Sequence, residues 1–284
     1  MPRQAGYRAY NCAAAERMAL DLRALEVAAL HMPASASPQG SVTSNPAESC
    51  YAQSAAPAAL RARLQCSWQF RQGGRATQPV LVLPDGSVDL IWDGSEVFVA
   101  GPDRMANPAS VAAGTTLTGV RLAAGVAAGL LQLPLHAIAD QRVALESLWG
   151  VQGRMWQHRL EDGADPLQTL QALCQQHAAA RDPQMAWLFE QLAVGTPTRL
   201  SALTDALGIS ERSLRRRCQD AFGYGSKTLQ RVLRLQRFLR IVRGHRNLTD
   251  AALHAGYGDA PHLVRDARQL TGLSPRALVQ QHAR

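Results

Sequence analysis

The last third of this chain repeats one pattern, and the repeat limits what this region can fold into. Ser210 and Asp259, 49 residues apart, are residue types that cap the start of a helix. At matching distances after each cap come an apolar residue, a small residue and a glycine; the pairs are Leu214/Leu263, Cys218/Ala267 and Gly223/Gly272. Each repeat therefore predicts a capped helix that ends at a glycine.

A shorter apolar helix precedes each cap. Its apolar positions are Leu200, Leu203 and Leu207 in the first repeat and Ala251, Ala252 and Ala255 in the second. Gly208 and Gly256 follow, as the tight turn after a helix prefers. A helix, a glycine-containing turn and a capped second helix form a helix-turn-helix, so the sequence predicts two such units.

The second helix of the first unit contains three successive arginines, residues 215–217. At 100° per residue, the apolar side chains share one face, and Arg217 lies on its flank. The opposite polar face holds Arg212, Arg215, Arg216 and Gln219, and the equivalent face of the second unit holds His262, Arg265 and Gln269. A solvated face normally mixes both charge signs at i,i+4 spacing. This excess of arginine favours contact with a polyanion.

The positive charge of the chain is concentrated in the same region. The net charge is +8, but residues 1–180 hold 13 arginines against 14 acidic residues, whereas residues 181–284 hold 17 lysines and arginines against 8 acidic residues. A basic region of this kind is typical of a domain that meets phosphate. Basic domains can also merely be soluble, so charge alone leaves both interpretations open.

Residues 226–244, between the two units, predict one long helix with an arginine at every third position from 231 to 243. Each three-residue step turns about 60° around the helix, so these arginines cannot all face DNA, and we expect most of them to be solvated. Arg217 fits a solvated or a phosphate-bound position equally well. The candidate phosphate contacts are Arg217, Lys227, Arg231 and Arg268.

The chain ahead of residue 185 shows other patterns. Residues 1–50 predict a flexible or weakly ordered extension, because 32–49 are small, polar and proline-rich, and Met32 is an alternative start. Residues 51–150 predict a β-rich domain, and residues 151–184 a helical linker with helices at 151–161 and 166–180. The predicted fold class is α+β: a β-rich module with helices, then an all-α domain over 185–284 with two helix-turn-helix units joined by a long helix.

Within the β-rich domain, residues 79–92 predict a hairpin around Pro84-Asp85-Gly86. Strands are also predicted at 96–101 and 116–122, and helices at 122–133 and 144–150. Asp85 is explained by turn chemistry. Asp89 is expected to be the outward residue of an alternating strand, which leaves no catalytic residue predicted.

With these elements in place, residues 185–284 resemble the DNA-binding domain of AraC/XylS-type transcriptional regulators. The matching stretches are LSALTDALGISERSLRRRC, FGYGSKTLQRVLRLQRFLR and TDAALHAGYGDAPHLVRDARQLTGLSPRAL. The resemblance implies that helices 211–221 and 260–270 enter two successive major grooves of double-stranded DNA. Its base-reading positions correspond to Arg212, Arg215 and Arg216, then Ala260, Pro261, His262 and Arg265.

The sequence departs from this family at several positions. The family usually has an aromatic residue where Cys218 and Ala267 stand, which predicts underfilled cores. Gly225-Ser226 replaces the usual Ser-Pro before the long helix. Ala260 and Pro261 have no side-chain donor for a base edge, so the second unit is expected to read sequence more weakly.

The N-terminal half is similar to the uncharacterised domain that precedes some AraC-type DNA-binding domains. The stretches that carry this resemblance are LQCSWQF, VLPDGSVDLIW, AGP, GVRLAAGVAAGLL and LESLWG. The resemblance implies a regulatory module that acts as a sensor or in dimerisation, and it names no effector. The family resemblance also leaves RNA polymerase and a second copy of the chain open as partners.

Other classes of protein are weighed against this interpretation. His31, His136, His158 and His177 have no ligand-like spacing, so no metal and no cofactor are predicted. Five scattered cysteines without a CxxC pair fit a reducing cytoplasm, and neither a signal peptide nor a membrane span is expected. Two alternatives stay open: a nonspecific DNA-packaging protein, and a fusion with a cysteine-dependent DNA-repair methyltransferase. The sequence thus predicts a cytoplasmic, non-enzymatic transcriptional regulator that binds specific DNA sequences.

Overall fold

The computed structural model describes residues 48–74, 79–177, 180–195 and 199–282. The predicted extension over residues 1–50 therefore lies almost wholly outside the described residues. The strands of the described part are β1 (Cys50–Ala55), β2 (Leu64–Arg71), β3 (Val80–Val82), β4 (Asp89–Trp92), β5 (Val97–Ala100), β6 (Asn107–Ala109), β7 (Thr116–Leu122) and β8 (Arg142–Ala144).

Within these ranges, six strands form an antiparallel sheet in the order β1-β2-β7-β4-β5-β8. Side chains alternate between the two faces of a strand, so each face of this sheet has its own apolar cluster. One face carries Leu90, Val99 and Val120, which are fully buried in the main core of this half of the chain. The other carries a smaller cluster that includes Trp68 and Phe98.

The hairpin predicted over residues 79–92 is wrong. β3 does not pair with β4 but with β6, in a separate two-stranded sheet in which Leu81 faces Pro108. The turn itself is as expected, because Asp85 Oδ1 accepts a hydrogen bond from the backbone N–H of Ser87 (2.9 Å) and Gly86 has a φ of 82°. Two apolar runs around a turn do not identify their pairing partners, and here both runs pair with strands that come later in the chain.

The expectation that Asp89 points outward is also wrong. Asp89 lies directly opposite Arg121 in the β4–β7 register, and its side chain is only 13% exposed. The Arg121 guanidinium donates to both carboxylate oxygens of Asp89 at 3.0 Å and contacts the Asp85 carboxylate at 3.0 Å. An ion pair makes this burial tolerable, and alternation along one strand cannot reveal such a partner.

Helix α1 (Ala127–Leu131) lies between β7 and β8, and α2 (Leu145–Trp149), α3 (Val151–Glu161) and α4 (Pro166–Gln176) follow β8. The helix expected over 122–133 is shorter than predicted, because Leu122 still belongs to β7 and Gln132 adopts a left-handed φ of 56°. Trp156 of α3 and Leu170 and Leu173 of α4 lie in the main core of the sheet. The predicted linker therefore packs as part of the β-rich half. We call residues 48–177 the sheet module.

The remaining helices are α5 (Pro183–Val194), α6 (Leu200–Leu207), α7 (Glu211–Phe222), α8 (Ser226–Ile241), α9 (Leu248–His254), α10 (Ala260–Thr271) and α11 (Pro275–His282). They pack around two cores that share the long helix α8. One core joins α5, α6 and α7 to Leu229 and Leu233, and the other joins α9, α10 and α11 to Leu235 and Phe238. Among the described residues, no helix is both long and apolar enough to cross a membrane.

Candidate nucleic-acid interface

Two helix-turn-helix units are present where the sequence predicts them, α6–α7 and α9–α10. Both predicted N-caps form: Ser210 Oγ accepts from the N–H of Ser213 (3.2 Å), and Asp259 Oδ1 accepts from the N–H of His262 (2.7 Å). Gly208 (φ 64°) and Gly256 (φ 86°) take the left-handed conformation that ends the first helix of each unit. We call the two second helices, α7 and α10, the recognition helices, after the helix at this place in other helix-turn-helix domains.

The apolar face of each recognition helix is buried. Leu214 and Cys218 of α7 are fully buried, as is Ala267 of α10, and Leu263 is 2% exposed. Each helix is thereby fixed by one face, and its opposite face points away from that core. The burial of Cys218 and Ala267 confirms their predicted positions in the cores.

Three arginines project from the free face of α7. Arg212, Arg215 and Arg216 are exposed, and no hydrogen bond or ion pair to their side chains occurs among the described residues. Glu211, at the start of the helix, is the acidic residue of its first turn. A row of exposed guanidinium groups without anionic partners can donate to phosphate oxygens and to guanine edges.

Arg217 has a different environment from its two neighbours. Its Nη2 lies 2.9 and 3.1 Å from the two carboxylate oxygens of Asp182, and its Nη1 donates to Gln184. Asp182 also caps α5 by accepting from the N–H of Met185 (3.1 Å). The predicted alternatives for Arg217 were solvent or phosphate, but the side chain instead holds α7 against the start of α5.

The polar face of α10 is partly engaged within the protein. Arg231 of α8 donates to the buried carboxylate of Asp266 (2.8 Å) and to the amide oxygen of Gln269. His262 Nε2 lies 3.1 Å from a guanidinium nitrogen of Arg234. These contacts tie α10 to α8 and give three of the predicted DNA-binding side chains, those of Arg231, His262 and Gln269, a partner inside the fold.

The other predicted contacts of this region are at the surface. Arg265 and Arg268 of α10 are exposed, and so is Lys227 near the start of α8. Gln219 of α7 is half-buried, as is Ala260. Pro261 is exposed in the first turn of α10, where a missing N–H costs no helical hydrogen bond. Arg265 thus lies on α10 at the position that Arg216 occupies on α7.

Arg237, one of the five arginines of which most were expected to be solvated, is a structural residue. Its guanidinium donates to the carbonyl oxygens of Leu192 and Ala193, at the end of α5, and to that of Ala255, just after α9. Burial lowers the pKa of Arg237 to about 10, with a further contribution from Arg240. The sequence did contain a signal that Arg237 faces the protein interior, because residue 237 follows the buried Leu233 by one helical turn.

The sheet module contacts both helix-turn-helix units. The carbonyl oxygen of Pro84 accepts from Gln236 Nε2 of α8 (2.7 Å), and the N–H of Ala106 donates to the carbonyl oxygen of Leu270 at the end of α10 (2.6 Å). Gly223, at the end of α7, lies so close to Pro102 that a Cβ there would be 2.6 Å from the ring. The described residues of the module therefore touch the C-terminal ends of both recognition helices and do not cover their arginine-bearing faces.

Comparison with known proteins gives two family matches and a short list of relatives. Residues 203–281 match a family described as "Helix-turn-helix domain", and residues 53–144 match a "Domain of unknown function (DUF6597)". Invasion protein InvF of Salmonella typhi and that of Salmonella typhimurium are each 34% identical over 95 residues, which is 33% of this chain and 43% of InvF. The chain thus spans less than half the length of the curated relatives it matches.

Similar solved structures include two of ToxT from Vibrio cholerae. The structure from strain O395 has a TM-score of 0.42 at 8% identity and covers 76% of this chain and 96% of ToxT. The unsaturated fatty acid-bound form from strain SCE256 has a TM-score of 0.40 at 8% identity and covers 81% of this chain and 95% of ToxT.

The duplicated units and the matching family model place the C-terminal region in the helix-turn-helix class of domains. The chain carries an AraC-type helix-turn-helix domain preceded by a DUF6597 domain, which confirms both resemblances.

Proposed function

We propose that this protein is a sequence-specific DNA-binding transcriptional regulator of the bacterial cytoplasm whose sheet module controls the placement of its two recognition helices. The observation that carries the proposal is the pair of capped helices, each fixed by a buried apolar face, whose opposite faces expose arginines. Arginine binds guanine through two hydrogen bonds in the major groove, and this pairing supplies sequence specificity.

The spacing of the two units suits one face of a duplex. Helix α8 has 16 residues and links the units, which corresponds to about 24 Å at about 1.5 Å per residue. Adding the width of the helices at either end brings the recognition helices near the ~34 Å repeat of the major groove. We infer that α7 and α10 enter two successive major grooves.

Control by the sheet module follows from where it touches the helices. The turn at Gly86 packs against the Phe189 ring, since a Cβ there would lie 2.9 Å from Phe189 and 3.3 Å from Leu229. Asp85 of the same turn is bound to Arg121, which bridges it to Asp89 inside the sheet. A shift of β4 or β7 on effector binding would therefore reach α5 and α8 through this turn, and α7 through Gly223.

The methyltransferase alternative requires an activated thiol with a lowered pKa. The buried cysteines of the described residues have raised pKa values instead. Burial raises the pKa of Cys66 to about 11 and that of Cys174 and Cys218 to about 12. A reactive cysteine needs a lowered pKa and access to solvent. These three thiols are suited to packing.

A selection from randomised duplex DNA with the full chain tests the proposal. A regulator should enrich one sequence and bind it at least about 10³-fold more tightly than random DNA. Arg216→Ala should lower this ratio, whereas Arg61→Ala, which removes an exposed arginine of the sheet module, should leave it unchanged. Equal affinity for all duplexes would instead favour the DNA-packaging alternative.

A further inference from the structure

Two histidines and an aspartate converge at α9, the first helix of the second helix-turn-helix unit, outside the proposed DNA-binding faces. His245 follows the short 3-10 helix Val242–Gly244, and Asp250 and His254 are one turn apart on α9. One potential ligand atom from each residue lies within 4.8 Å of the other two. The sequence analysis predicted no metal centre because the four histidines that it considered have no ligand-like spacing. His245 and His254 were not among them, and they come together only through the turn into α9.

Each imidazole has one ring nitrogen at hydrogen-bond distance from a backbone carbonyl oxygen, as histidines that ligate metals often do. His245 Nδ1 lies 2.9 Å from the carbonyl oxygen of Ile241, and His254 Nδ1 lies 2.9 Å from the carbonyl oxygen of Asp250. When Nδ1–H donates to a carbonyl, Nε2 keeps its lone pair. His254 Nδ1 also lies 3.5 Å from Oδ1 of Asp250, so the exposed ring has to turn for Nε2 to share a metal ion with this carboxylate. The same second hydrogen bond fixes the tautomer and the ring orientation of histidines that ligate metals.

The donor set and its spacing suit a borderline metal ion. Two imidazole nitrogens and one carboxylate oxygen are ligands that Zn²⁺ accepts at about 2.0–2.2 Å, which separates neighbouring ligand atoms by about 3.3 Å in a tetrahedron. Side-chain rotation closes the remaining difference, because Asp250 and His254 are 41% and 62% exposed. Three protein ligands leave the fourth position to water.

We propose that His245, Asp250 and His254 form a binding site for Zn²⁺ or a similar divalent transition-metal ion. Bound metal joins the end of the α8 segment to α9 and so stabilises the second helix-turn-helix unit. The inference does not depend on DNA binding, because metal affinity and thermal stability are measured on the free protein.

The test uses the full chain without an affinity tag, freed of metal by a chelator. Zn²⁺ titration by calorimetry should give one site per chain, and bound Zn²⁺ should raise Tm by several degrees at 100 times Kd. Co²⁺ should give the absorption spectrum of a nitrogen and oxygen site without a thiolate charge-transfer band. A thiolate band, or binding only at millimolar metal, would overturn the proposal.

Matched variants locate the site. His245→Gln, Asp250→Asn and His254→Gln should each weaken Zn²⁺ binding at least about tenfold. His136→Gln is the control, because His136 Nδ1 also lies 3.5 Å from a carboxylate, that of Asp220, and no third ligand accompanies this pair among the described residues. Each variant should match the metal-free wild type in Tm. If a histidine variant fails to fold, Asp250→Asn decides the question, and unchanged affinity in it contradicts the site.

Discussion

The guanidinium of Arg237 donates a hydrogen bond to the carbonyl oxygen of Ala255 at 2.7 Å, and this bond joins the long helix α8 to the end of α9. The same side chain donates to the carbonyl oxygens of Leu192 and Ala193 at the end of α5. One residue therefore satisfies helix-terminal carbonyls that belong to both halves of the DNA-binding region. Arg237 thus connects the end of α5, the long helix α8 and the end of α9.

Replacing Arg237 should destabilise the whole DNA-binding region. Arg237→Met keeps the aliphatic part of the side chain but removes the guanidinium and leaves three carbonyl oxygens without their donor, so we expect a loss of at least about 2 kcal/mol in the free energy of unfolding. Urea unfolding of the full chain measures this loss. Arg240→Met is the control, since Arg240 is exposed on the same helix. An equal effect of the two substitutions would assign the loss to helix α8 itself.

Gly195 should be intolerant of a side chain for two separable reasons. It has a φ of 87°, and a Cβ there would lie 1.9 Å from Cζ of Arg237. Gly163 has nearly the same φ, 89°, with nothing within 4 Å of a Cβ. Gly163→Ala should therefore cost only the backbone strain of about 1–2 kcal/mol, and Gly195→Ala clearly more. Thermal unfolding distinguishes them, and equal shifts in Tm would show that Arg237 moves aside freely.

Substitution of Arg216 should affect DNA binding, whereas substitution of the adjacent Arg217 should affect stability. Arg216→Ala should weaken binding to the selected DNA site by about 1–3 kcal/mol and relax the preference at one base pair, with no change in stability. Arg217→Ala breaks the contact with Asp182 and should lower the free energy of unfolding by about 1–2 kcal/mol, with base preference unchanged. Quantitative binding to single-base variants of the site, with urea unfolding alongside, measures both. A loss of base preference in Arg217→Ala would contradict this division.

The two recognition helices should differ in how much sequence they read. On α7, Arg212, Arg215 and Arg216 are exposed without partners among the described residues, whereas on α10 the side chains of His262 and Gln269 already have partners in α8. We expect the half-site under α7 to carry more sequence information than the half-site under α10. Sequencing of selected duplexes gives the information content of each half-site. Equal content, or more under α10, would contradict this expectation.

The stability of the protein should fall as pH rises through the range in which Asp103 ionises. Burial, with the carboxylates of Asp140 and Asp85 nearby, raises the pKa of Asp103 from 3.8 to about 6. Between these values the folded state holds a proton that the unfolded state has lost, so this contribution is full below pH 4 and is lost by pH 6–7. Asp103→Asn removes this loss, so the gain in stability of the variant over the wild type should be larger at pH 7.5 than at pH 4.5.

Chemical denaturation at several pH values measures this dependence. Asp162→Asn makes the same change of charge on an exposed position and should leave the difference between pH 4.5 and pH 7.5 as it is in the wild type. A wild-type pH profile that Asp103→Asn does not alter would assign the dependence to other carboxylates.

The local sequence determined the helix caps, the turns and the buried positions of the C-terminal region. The caps at Ser210 and Asp259, the turns at Gly208 and Gly256 and the buried positions Leu214 and Leu263 are all as predicted, because capping and helical periodicity act over a few residues. The same reasoning placed Arg212, Arg215 and Arg216 on one exposed face.

Tertiary structure alone decided which partners the segments and charged side chains have. The strand at Val80–Val82 pairs with Asn107–Ala109 and not with its neighbour in sequence, and Asp89 is turned toward Arg121 across the sheet. Arg216 and Arg217 are identical and adjacent, yet within the described part of the chain only Arg217 pairs with a carboxylate, that of Asp182 at the start of another helix. Local patterns specify which side of a helix or strand a residue occupies. The partner that it meets there depends on long-range packing, and the periodicity of a sequence contains no information about which distant segments pack together.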